Sequence, residues 1–504
     1  MKKYIHLAIT IVLCSIALIS CIKDESSVPT DNIPHLKIKG IGGDMPVYNF
    51  DLGDVCVIQP EVSYTNGNTS DLKYEWSVGT FEDGVKGKLE KISTETAFKH
   101  KFLKGGSYYV HLVITDGKVG QVADYRVNIN RSFEEGHILV SKDASGRGNL
   151  SFVKTLTPEE IAQGKKTVIV QHCLETMNEG VASEDNLIAC TIGTVTWPKQ
   201  LTRLMVAMTD RCYFVDPNTM TILAETKFTD VFPEFRADIF MPDEYSPYVY
   251  SKTSGKYVHL ELTYMFPYEY KYFKGYPFED FYECKYTAWG SPRTMTLFVD
   301  YTRSLVCRFN AYNPDTYFPG TGELLKGKEI INVFTGTTQS PSTYVTPIYI
   351  LTQDTDHLVL YKNGKDNTMD ARSFTTQQTP KSEELAVPER GMKFQPSPKY
   401  HRYFYYIGSR IYVFVPGTEF TLPRREQFAI DFGANEEVTC IQTDISKELL
   451  YVGTFDKTSG KGNFYIYNTS DVSTNSQGNI SPVEVHKACA DRITSIIHKP
   501  RISS

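Results

Sequence analysis

The residue best placed for chemistry near the start of the chain is Cys21, whose thiol is a nucleophile. It follows an uncharged, mostly apolar run from Ile5 to Ile19, and Lys2 and Lys3 precede that run. Positive charge, a short apolar run and then a small residue, here Ser20, form the pattern of a cleaved export signal. The run is shorter than the ~20 residues that a membrane-spanning helix needs. The sequence therefore predicts export, with the thiol of Cys21 available for modification.

The four residues Leu18-Ile19-Ser20-Cys21 resemble the lipobox of bacterial lipoproteins. The resemblance implies that residues 1–20 are a signal peptide, that the thiol of Cys21 receives diacylglycerol, and that Cys21 becomes the acylated first residue. Lys23, Asp24 and Glu25 then resemble the surface-export signal of Bacteroidota lipoproteins. This second resemblance implies a protein anchored by lipid in the outer membrane and exposed at the cell surface. An ordinary secretory signal followed by a solvated linker is the alternative.

Residues that could catalyse a reaction form no local motif in the rest of the chain. Hydrolase elbows, zinc-protease helices, phosphate-binding loops and calcium loops are all missing from the sequence. Acids do cluster at Glu279, Asp280 and Glu283, but a glycoside hydrolase would need carboxylates that converge from separate elements. Histidines such as His259 and His357 are dispersed without metal-ligand spacing. We therefore predict no catalytic residue, no metal site and no cofactor.

An aromatic-rich stretch from Tyr264 to Trp289 is the strongest candidate for binding. Exposed tyrosines provide a large contact area at a low entropic cost, which favours them where a ligand or a partner docks. Packing of the stretch between sheets, as a strand and a loop, is the alternative. The predicted contact residues for a nutrient or a partner are Tyr268, Tyr270, Tyr272, Tyr276 and Phe278.

Composition indicates an all-β protein of more than one domain. The chain has 504 residues, including 33 Tyr and 28 Phe, and these residue types favour strands. Residues 1–20 contain two lysines and no acid, so their removal changes the formal net charge from −6 to −8. An acidic chain gives no support to nucleic-acid binding. The eight cysteines that follow Cys21 form no CxxC pair and are predicted to be free, buried thiols.

The first predicted domain spans residues 35–130, after a lipidated tether at residues 21–34. Its apolar residues alternate along short runs that Gly, Asn and Asp separate, which predicts an antiparallel sandwich. Tyr74-Glu75-Trp76 and the stretch from Gly106 to Asp116 resemble two strands of the polycystic-kidney-disease (PKD) domain. That resemblance implies an immunoglobulin-like β-sandwich that acts as a spacer or a binding module. The Gly-Asp-Gly turn often found in the PKD family is replaced here by Ser77-Val78-Gly79.

The second predicted domain, residues 131–504, repeats a strand-turn-strand unit and is interpreted as a β-propeller. Seven blades are favoured, with six or eight possible. Residues 493–497 repeat the type of strand that precedes one hairpin, and the chain then ends. We therefore expect this last strand to share a blade with the first hairpin. The seven hairpins are His137–Val153, Leu204–Asp216, Tyr248–Leu262, Met295–Phe309, Pro347–Tyr361, Tyr403–Val415 and Leu449–Tyr467.

A lipoprotein with a PKD-like domain and a propeller resembles the PKD-like lipoproteins of Bacteroidota. The resemblance implies a non-enzymatic accessory component of a starch-utilisation-type, SusC/SusD-like uptake system, which uses a TonB-dependent channel. The expected ligand is an oligomeric nutrient, either a peptide or a glycan, with a slight preference for a peptide. A propeller glycoside hydrolase or lyase is the first alternative, and a pure scaffold that docks on the channel is the second.

Overall fold

The fold is described by a computed structural model. It describes residues 34–39, 45–51, 54–82, 84–102, 105–130, 133–178, 181, 187–195, 200–241, 247–269, 279–288, 291–308, 321–336, 347–363, 374–473 and 480–502. Contacts divide the chain into two compact units. The first unit includes residues 54–101 and 106–129, and the second includes everything from residue 130 onward. Among the described residues, no helix is long and apolar enough to cross a membrane.

The first unit is built from short antiparallel strands. Its strands are β1 His35–Ile38, β2 Val47–Asp51, β3 Val55–Ile58, β4 Val62–Thr65, β5 Lys73–Glu82, β6 Val85–Lys86, β7 Glu90–Ser93, β8 Phe98–Lys101, β9 Gly106–Thr115 and β10 Gly120–Asn130. The largest sheet has the order β2-β10-β9-β5-β6, and β7 also pairs with β5. The two smaller ladders are β1-β4 and β3-β8. The sequence predicts one strand over residues 54–62, but this run contains β3 and only the first residue of β4, because Pro60 interrupts the ladder.

Trp76 lies at the centre of the first unit's core. It is fully buried and is paired with Leu112 across β5 and β9. The centroid of its ring lies 5.5 Å from that of Phe98 on β8 and 6.0 Å from that of Tyr125 on β10. The indole nitrogen donates to the carbonyl oxygen of Glu95 at 2.8 Å, so its polar atom is satisfied. The alternating apolar residues of β5 and β9 therefore form one buried face, as the sequence predicts.

The second unit is also almost entirely β-structure. Its strands are β11 Gly136–Lys142, β12 Gly148–Lys154, β13 Ile169–Val170, β14 Leu187–Val195, β15 Leu201–Met208, β16 Arg211–Val215, β17 Ile222–Lys227, β18 Ile239–Met241, β19 Tyr248–Ser251, β20 Lys256–Glu261, β21 Phe266–Glu269, β22 Asp280–Ala288, β23 Ser291–Asp300, β24 Leu305–Arg308, β25 Glu329–Thr335, β26 Ile348–Gln353, β27 His357–Asn363, β28 Phe374–Pro380, β29 Gln395–Ser397, β30 Arg402–Ile407, β31 Arg410–Phe414, β32 Ile430–Asp431, β33 Glu436–Asp444, β34 Leu449–Asp456, β35 Lys461–Asn468, β36 Glu484–Ala490 and β37 Arg492–Lys499. Within the described ranges, the short helices are α1 Pro158–Ala162, α2 Cys173–Met177 and α3 Phe228–Val231, and 3-10 turns cover Thr69–Asp71 in the first unit and Pro398–Tyr400 in the second.

These strands form seven antiparallel sheets within the described residues. In strand order they are sheet 1, β37-β11-β12-β13; sheet 2, β14-β15-β16-β17; sheet 3, β18-β19-β20-β21; sheet 4, β22-β23-β24; sheet 5, β25-β26-β27-β28; sheet 6, β29-β30-β31-β32; and sheet 7, β33-β34-β35-β36. The first strands of several neighbouring sheets contact one another, as β22 contacts β25 and β33 contacts β37. First strands are therefore innermost and last strands outermost, which is a propeller-like arrangement.

The two ends of the second unit meet in sheet 1. Strand β37 pairs with β11 along its length, from Lys142 opposite Arg492 to Gly136 opposite Lys499. Each of the seven predicted hairpins supplies the second and third strands of one sheet. The expected sharing of one sheet by the last strand and the first hairpin is thus confirmed, and it leaves no open edge between the chain ends.

A Ser-Gly-Arg/Lys sequence recurs three times in the chain, at residues 145–147, 254–256 and 459–461, and each copy lies at the turn between the second and third strands of sheet 1, 3 or 7. Gly146, Gly255 and Gly460 have φ values of 85°, 64° and 66°, a left-handed conformation that glycine adopts most readily. In sheet 1 the carboxylate of Asp143 accepts hydrogen bonds from the main-chain N–H groups of Ser145 and Arg147, both at 2.9 Å. Strands flank each of these turns, so they are hairpin turns rather than phosphate-binding loops.

The cysteines that the structure describes are free. All but Cys440 are buried, and burial raises the pKa of the thiol of Cys56 to about 12. Cys173 lies in α2 and not in a strand. These thiols behave as small apolar core residues, as the sequence predicts. The cysteines whose side chains the structure describes are Cys56, Cys173, Cys190, Cys212, Cys307, Cys440 and Cys489.

Candidate functional site

The aromatic stretch begins at the outer edge of sheet 3. A turn after Leu262 leads into β21, the outermost strand of that sheet, where Phe266 is paired with Glu261 and Tyr268 with His259. The main-chain N–H of Tyr264 donates to the carboxylate of Glu261 at 2.6 Å, which fixes the turn. Pro267 fits in this strand because an outermost strand does not need every main-chain N–H for pairing.

Three aromatic side chains are exposed on this edge. The exposed fractions are 83% for Tyr264, 47% for Phe266 and 41% for Tyr268. Phe266 and Tyr268 point to the same side because they are two residues apart in a strand, whereas Pro267 between them is buried. We call Tyr264, Phe266 and Tyr268 the aromatic edge. It presents flat apolar rings to solvent, the kind of surface on which sugar rings or peptide side chains stack.

The ring of His259 packs against Tyr268 of the aromatic edge. Its ring lies between Tyr248, at 4.9 Å, and Tyr268, at 4.7 Å between ring centroids. The imidazole is buried, neither of its nitrogens has a hydrogen-bond partner, and burial lowers its pKa to about 4. A neutral ring in this position packs as an aromatic group. It therefore fixes the orientation of Tyr268 while the other side of Tyr268 stays exposed.

Among the predicted binding residues, the structure places only Tyr268. The other four, Tyr270, Tyr272, Tyr276 and Phe278, lie outside the described residues, as do the lipidation site Cys21 and the export signal Lys23, Asp24 and Glu25. Sequence reasoning did not assign contacts to Tyr264 and Phe266, although both belong to the stretch that it singled out. Their exposure follows from the position of β21 at the sheet edge, which depends on strand order.

A polar cluster forms where sheet 4 begins, separate from the aromatic edge. Asp280 is the first residue of β22, and its carboxylate accepts hydrogen bonds from the hydroxyl of Tyr301 at 3.0 Å and the main-chain N–H of Phe281 at 2.8 Å. Burial raises the pKa of Asp280, although the positive charge of Lys393 opposes that shift. Gly391 has φ +79°, and a Cβ added there would lie 3.2 Å from a carboxylate oxygen of Asp280. Glycine is thus favoured at this close approach.

Charges from the segment before sheet 6 surround this carboxyl group. Arg390 pairs with Glu329 at the start of β25, and its guanidinium lies 5.4 Å from the ring centroid of Tyr301. The ammonium of Lys393 lies 5.0 Å from the ring of Phe281. Sheet 4, sheet 5 and the segment before sheet 6 therefore contribute to one polar cluster around Asp280. A carboxyl group with a raised pKa beside a hydroxyl and a lysine has the chemistry of a general acid.

Metal ligation has no support within the described ranges, where no group of three or more His, Cys, Asp or Glu side chains could hold an ion. The neighbouring acids Glu279 and Asp280 have different hydrogen-bond partners. Glu279 accepts hydrogen bonds from Thr302, which stabilises the turn after β23, while Asp280 bonds to Tyr301.

Comparison with known proteins shows no family for this chain. No protein-family model matches the sequence, and no curated protein matches it. Similar solved structures include a quinonprotein alcohol dehydrogenase-like protein from Bacteroides thetaiotaomicron, with 13% identity, a TM-score of 0.48, and coverage of 92% of this chain and 99% of that chain.

Two further structures are more distant. The β-propeller domain of Cps50 (Swd1) from Myceliophteria thermophila has 11% identity, a TM-score of 0.24, and coverage of 71% of this chain and 86% of its own. A nidogen/laminin complex has 11% identity, a TM-score of 0.32, and coverage of 58% and 97%. At these values the propeller-like assignment rests on the strand order of the chain itself.

Proposed function

We propose that this chain is a lipid-anchored, surface-exposed outer-membrane protein that binds an oligomeric nutrient, a peptide or a glycan. In this proposal it is a non-enzymatic accessory component of a SusC/SusD-like, TonB-dependent uptake system. A PKD-like immunoglobulin domain acts as a spacer above the membrane, and a seven-bladed β-propeller presents the binding surface. The lipobox-like sequence at Cys21 and the charged residues after it support the location.

The aromatic edge carries the proposal of binding. An outermost strand normally exposes polar or scattered apolar side chains, because exposed aromatic rings cost solvation free energy. Tyr264, Phe266 and Tyr268 are nevertheless all exposed, and two of them share one face of β21. A bound sugar or peptide would cover these rings and recover that free energy. Tyrosine hydroxyls would also supply hydrogen bonds at the polar rim of the contact.

Asp280 supports one second candidate function, a glycoside hydrolase or lyase. Its carboxyl group is half-buried at the start of an innermost strand, has a raised pKa, and accepts a hydrogen bond from Tyr301. These are the features of a general acid that protonates a leaving group. The aromatic edge lies on the outermost strand of sheet 3 and the turn before it, whereas Asp280 lies on the innermost strand of sheet 4. Separate variants can therefore test the two functions.

The test combines co-purification with ligand screening. We expect the protein, extracted from native outer membranes, to bring down a TonB-dependent channel and its lid lipoprotein, and the purified protein to bind oligopeptides or oligosaccharides without altering them. Glycan cleavage that Asp280→Asn abolishes would establish the enzyme instead. Co-purification without any nutrient binding would leave a scaffold role. Failure of both co-purification and binding would contradict the proposal.

A further inference from the structure

One hydrogen bond in sheet 3 gives the main-chain direction of its two outer strands. The N–H of Leu260 on β20 donates to the carbonyl oxygen of Pro247, the residue before β19, at 2.9 Å. Main-chain groups of successive residues in a strand point to alternate edges. Those of Leu260 therefore point towards β19, whereas those of its neighbours His259 and Glu261 point towards β21.

The outer edge of β21 is consequently poor in hydrogen-bond donors. Phe266 and Tyr268, the residues paired with Glu261 and His259, have their main-chain groups directed inward, towards β20. Pro267 and the residue after Tyr268 therefore have theirs directed outward. Proline has no N–H, so only one residue of β21, Glu269, can offer an outward donor.

This edge is therefore unsuited to an extended peptide. A peptide that adds to a sheet as a strand takes its affinity from alternating main-chain donors and acceptors along the edge. Proline at an outward position is one of the devices that protect sheet edges from such pairing. A ligand of β21 must accordingly bind through the side chains, which are the exposed rings of Phe266 and Tyr268.

The two rings are spaced to contact a chain of flat units. Phe266 and Tyr268 are exposed on one face of the strand, and two residues along a strand span about 6.6 Å. Tyr264, in the preceding turn, adds a third exposed ring. Sugar rings that present a face of C–H groups stack on aromatic faces, and successive sugars of one oligosaccharide can contact successive rings.

A carboxylate lies beside these rings. Glu261 is paired directly with Phe266, so both side chains are on the same face of sheet 3. One carboxylate oxygen of Glu261 accepts a hydrogen bond from the main-chain N–H of Tyr264 at 2.6 Å. A carboxylate can accept several hydrogen bonds, and sugar hydroxyls are donors. The same negative charge repels uronic acids and the terminal carboxylate of a peptide.

The group behind Tyr268 supplies no positive charge to offset Glu261. The ring of His259 packs against Tyr268, and burial lowers the pKa of His259 to about 4, so the imidazole is neutral at neutral pH. The surface formed by these residues is therefore aromatic and negatively charged. Such a surface favours an uncharged ligand that is rich in hydroxyl groups.

We propose that the aromatic edge binds a neutral oligosaccharide, whose sugar rings stack on Phe266 and Tyr268 and whose hydroxyls donate to Glu261. The inference rests on the proposed nutrient-binding function and names the class of nutrient for the same surface. It assigns a glycan to this surface in place of a peptide, because the rings and the carboxylate are accessible whereas the main-chain edge is blocked by Pro267.

The first test is calorimetric titration of the full chain with cellohexaose, xylohexaose and mannohexaose. We expect at least one of them to bind, and Phe266→Ala to weaken that binding about tenfold, the effect of losing one good aromatic contact. Phe266→Leu should weaken it almost as much, because leucine keeps the apolar volume but not the flat ring. Phe266→Trp is the matched variant that should retain binding. Melting temperatures show that each variant is folded.

Two further variants test the carboxylate and the blocked edge. Hexagalacturonate, an acidic glycan, should bind the unaltered chain at least tenfold more weakly than the neutral hexasaccharide that binds. Glu261→Gln keeps an acceptor oxygen without the charge and should narrow that difference. Pro267→Val restores an outward N–H and should leave oligosaccharide binding unchanged. It would strengthen the binding of a peptide that adds as a strand.

Two peptides, one of alternating threonine and valine and one of five prolines, separate failure of this inference from failure of the proposed function. If a peptide binds, Phe266→Ala weakens its binding, and none of the neutral hexasaccharides binds, the glycan is overturned while nutrient binding stands. Absence of binding by every hexasaccharide and both peptides at millimolar concentration would contradict both proposals. Full retention of oligosaccharide binding by a folded Phe266→Leu variant would overturn the stacking.

Discussion

His137 on β11 lies directly opposite His498 on β37, with 5.5 Å between their ring centroids. The pair joins the first and the last strands of the second unit. His137 is buried against Tyr451 at 4.5 Å and Phe464 at 5.0 Å, both from sheet 7. The closure of the ring of sheets therefore depends on an imidazole that packs as an apolar ring.

This arrangement predicts a loss of stability in mild acid. Burial is the main cause that lowers the pKa of His137 to about 3, and the nearby positive charges of His498 and Lys447 add to it. In the unfolded chain the pKa of histidine is about 6.5. Below that pH the imidazole of His137 binds a proton in the unfolded state but not in the folded state. The free energy of unfolding should therefore fall by up to about 1.4 kcal/mol per pH unit as the pH decreases from 6.5 towards 3.

Urea denaturation at pH 7 and pH 5 measures this dependence. His137→Phe keeps an aromatic ring between Tyr451 and Phe464 and should remove part of the loss. His401→Asn is the control, because residue 401 is exposed and has φ 51°, which asparagine tolerates. It should retain the full dependence of the unaltered chain. An identical pH dependence in His137→Phe would show that this imidazole is not responsible.

The closure of sheet 1 predicts a large effect of removing the last strand. Deletion of residues 490–504 eliminates β37 and with it the buried side chains of Ile493 and Ile496. It also exposes the edge of β11. Ile496→Ala alone should cost about 2–5 kcal/mol, the usual range for a buried isoleucine. Deletion of residues 503–504 is the matched control. Unchanged thermal stability after the longer deletion would mean that β37 does not close the ring.

The burial of Trp76 predicts that removing its ring destabilises the first unit. Its ring is fully buried between Phe98 and Tyr125, so Trp76→Ala should lower the free energy of unfolding by about 3–5 kcal/mol. Val122→Ala in β10 is the control, because that side chain is 54% exposed and its loss should cost less than about 0.5 kcal/mol. Calorimetry of the full chain measures both. A cost below about 1 kcal/mol for Trp76→Ala would contradict the assigned core.

Local patterns in the sequence were sufficient for the seven hairpins and for the closure of the second unit. The alternation that includes Trp76 and Leu112 predicts their shared face, and the repeated strand at residues 493–497 predicts the pairing of β37 with β11. Both signals are local, because side-chain period and residue type are readable within a few positions. Seven hairpins likewise correspond to seven sheets.

The polar cluster around Asp280 could not be predicted in this way. It depends on a turn before sheet 6, where the N–H of Gly391 donates to the carbonyl oxygen of Ile331 on β25 at 3.1 Å, so that the turn lies beside Asp280 and Tyr301. No periodic pattern records which loop crosses to which sheet. The meeting of His137 with His498 was missed for a related reason. The histidines look dispersed until the register of the closing strand is known.

The lipobox-like sequence predicts where the protein resides. Cys21→Ala should abolish acylation and release the protein from the membrane, since lipid is its only predicted anchor. Replacing Lys23, Asp24 and Glu25 with neutral residues should keep the anchor but leave the protein facing inward. Protease treatment of intact cells distinguishes these states. Protection of the unaltered protein from added protease would contradict the surface location.

The aromatic edge predicts a separation of binding from stability. Tyr264→Ala and Phe266→Ala should each weaken nutrient binding by about 1–2 kcal/mol, because exposed aromatic contacts are typical hot spots. Both should leave the melting temperature nearly unchanged, since their side chains are largely exposed. Tyr268→Ala should weaken nutrient binding and also lower the melting temperature, because it uncovers the buried ring of His259.

Leu223→Ala provides the matched control for these variants. Leu223 is 42% exposed on β17, the outermost strand of sheet 2, so it occupies the equivalent edge without an aromatic ring. It should change neither binding nor stability. Calorimetric titration with the nutrient found by screening and thermal unfolding of each variant give the two quantities. If Tyr264→Ala and Phe266→Ala lower stability while every folded variant binds normally, the aromatic edge packs against the protein itself and is not a binding surface.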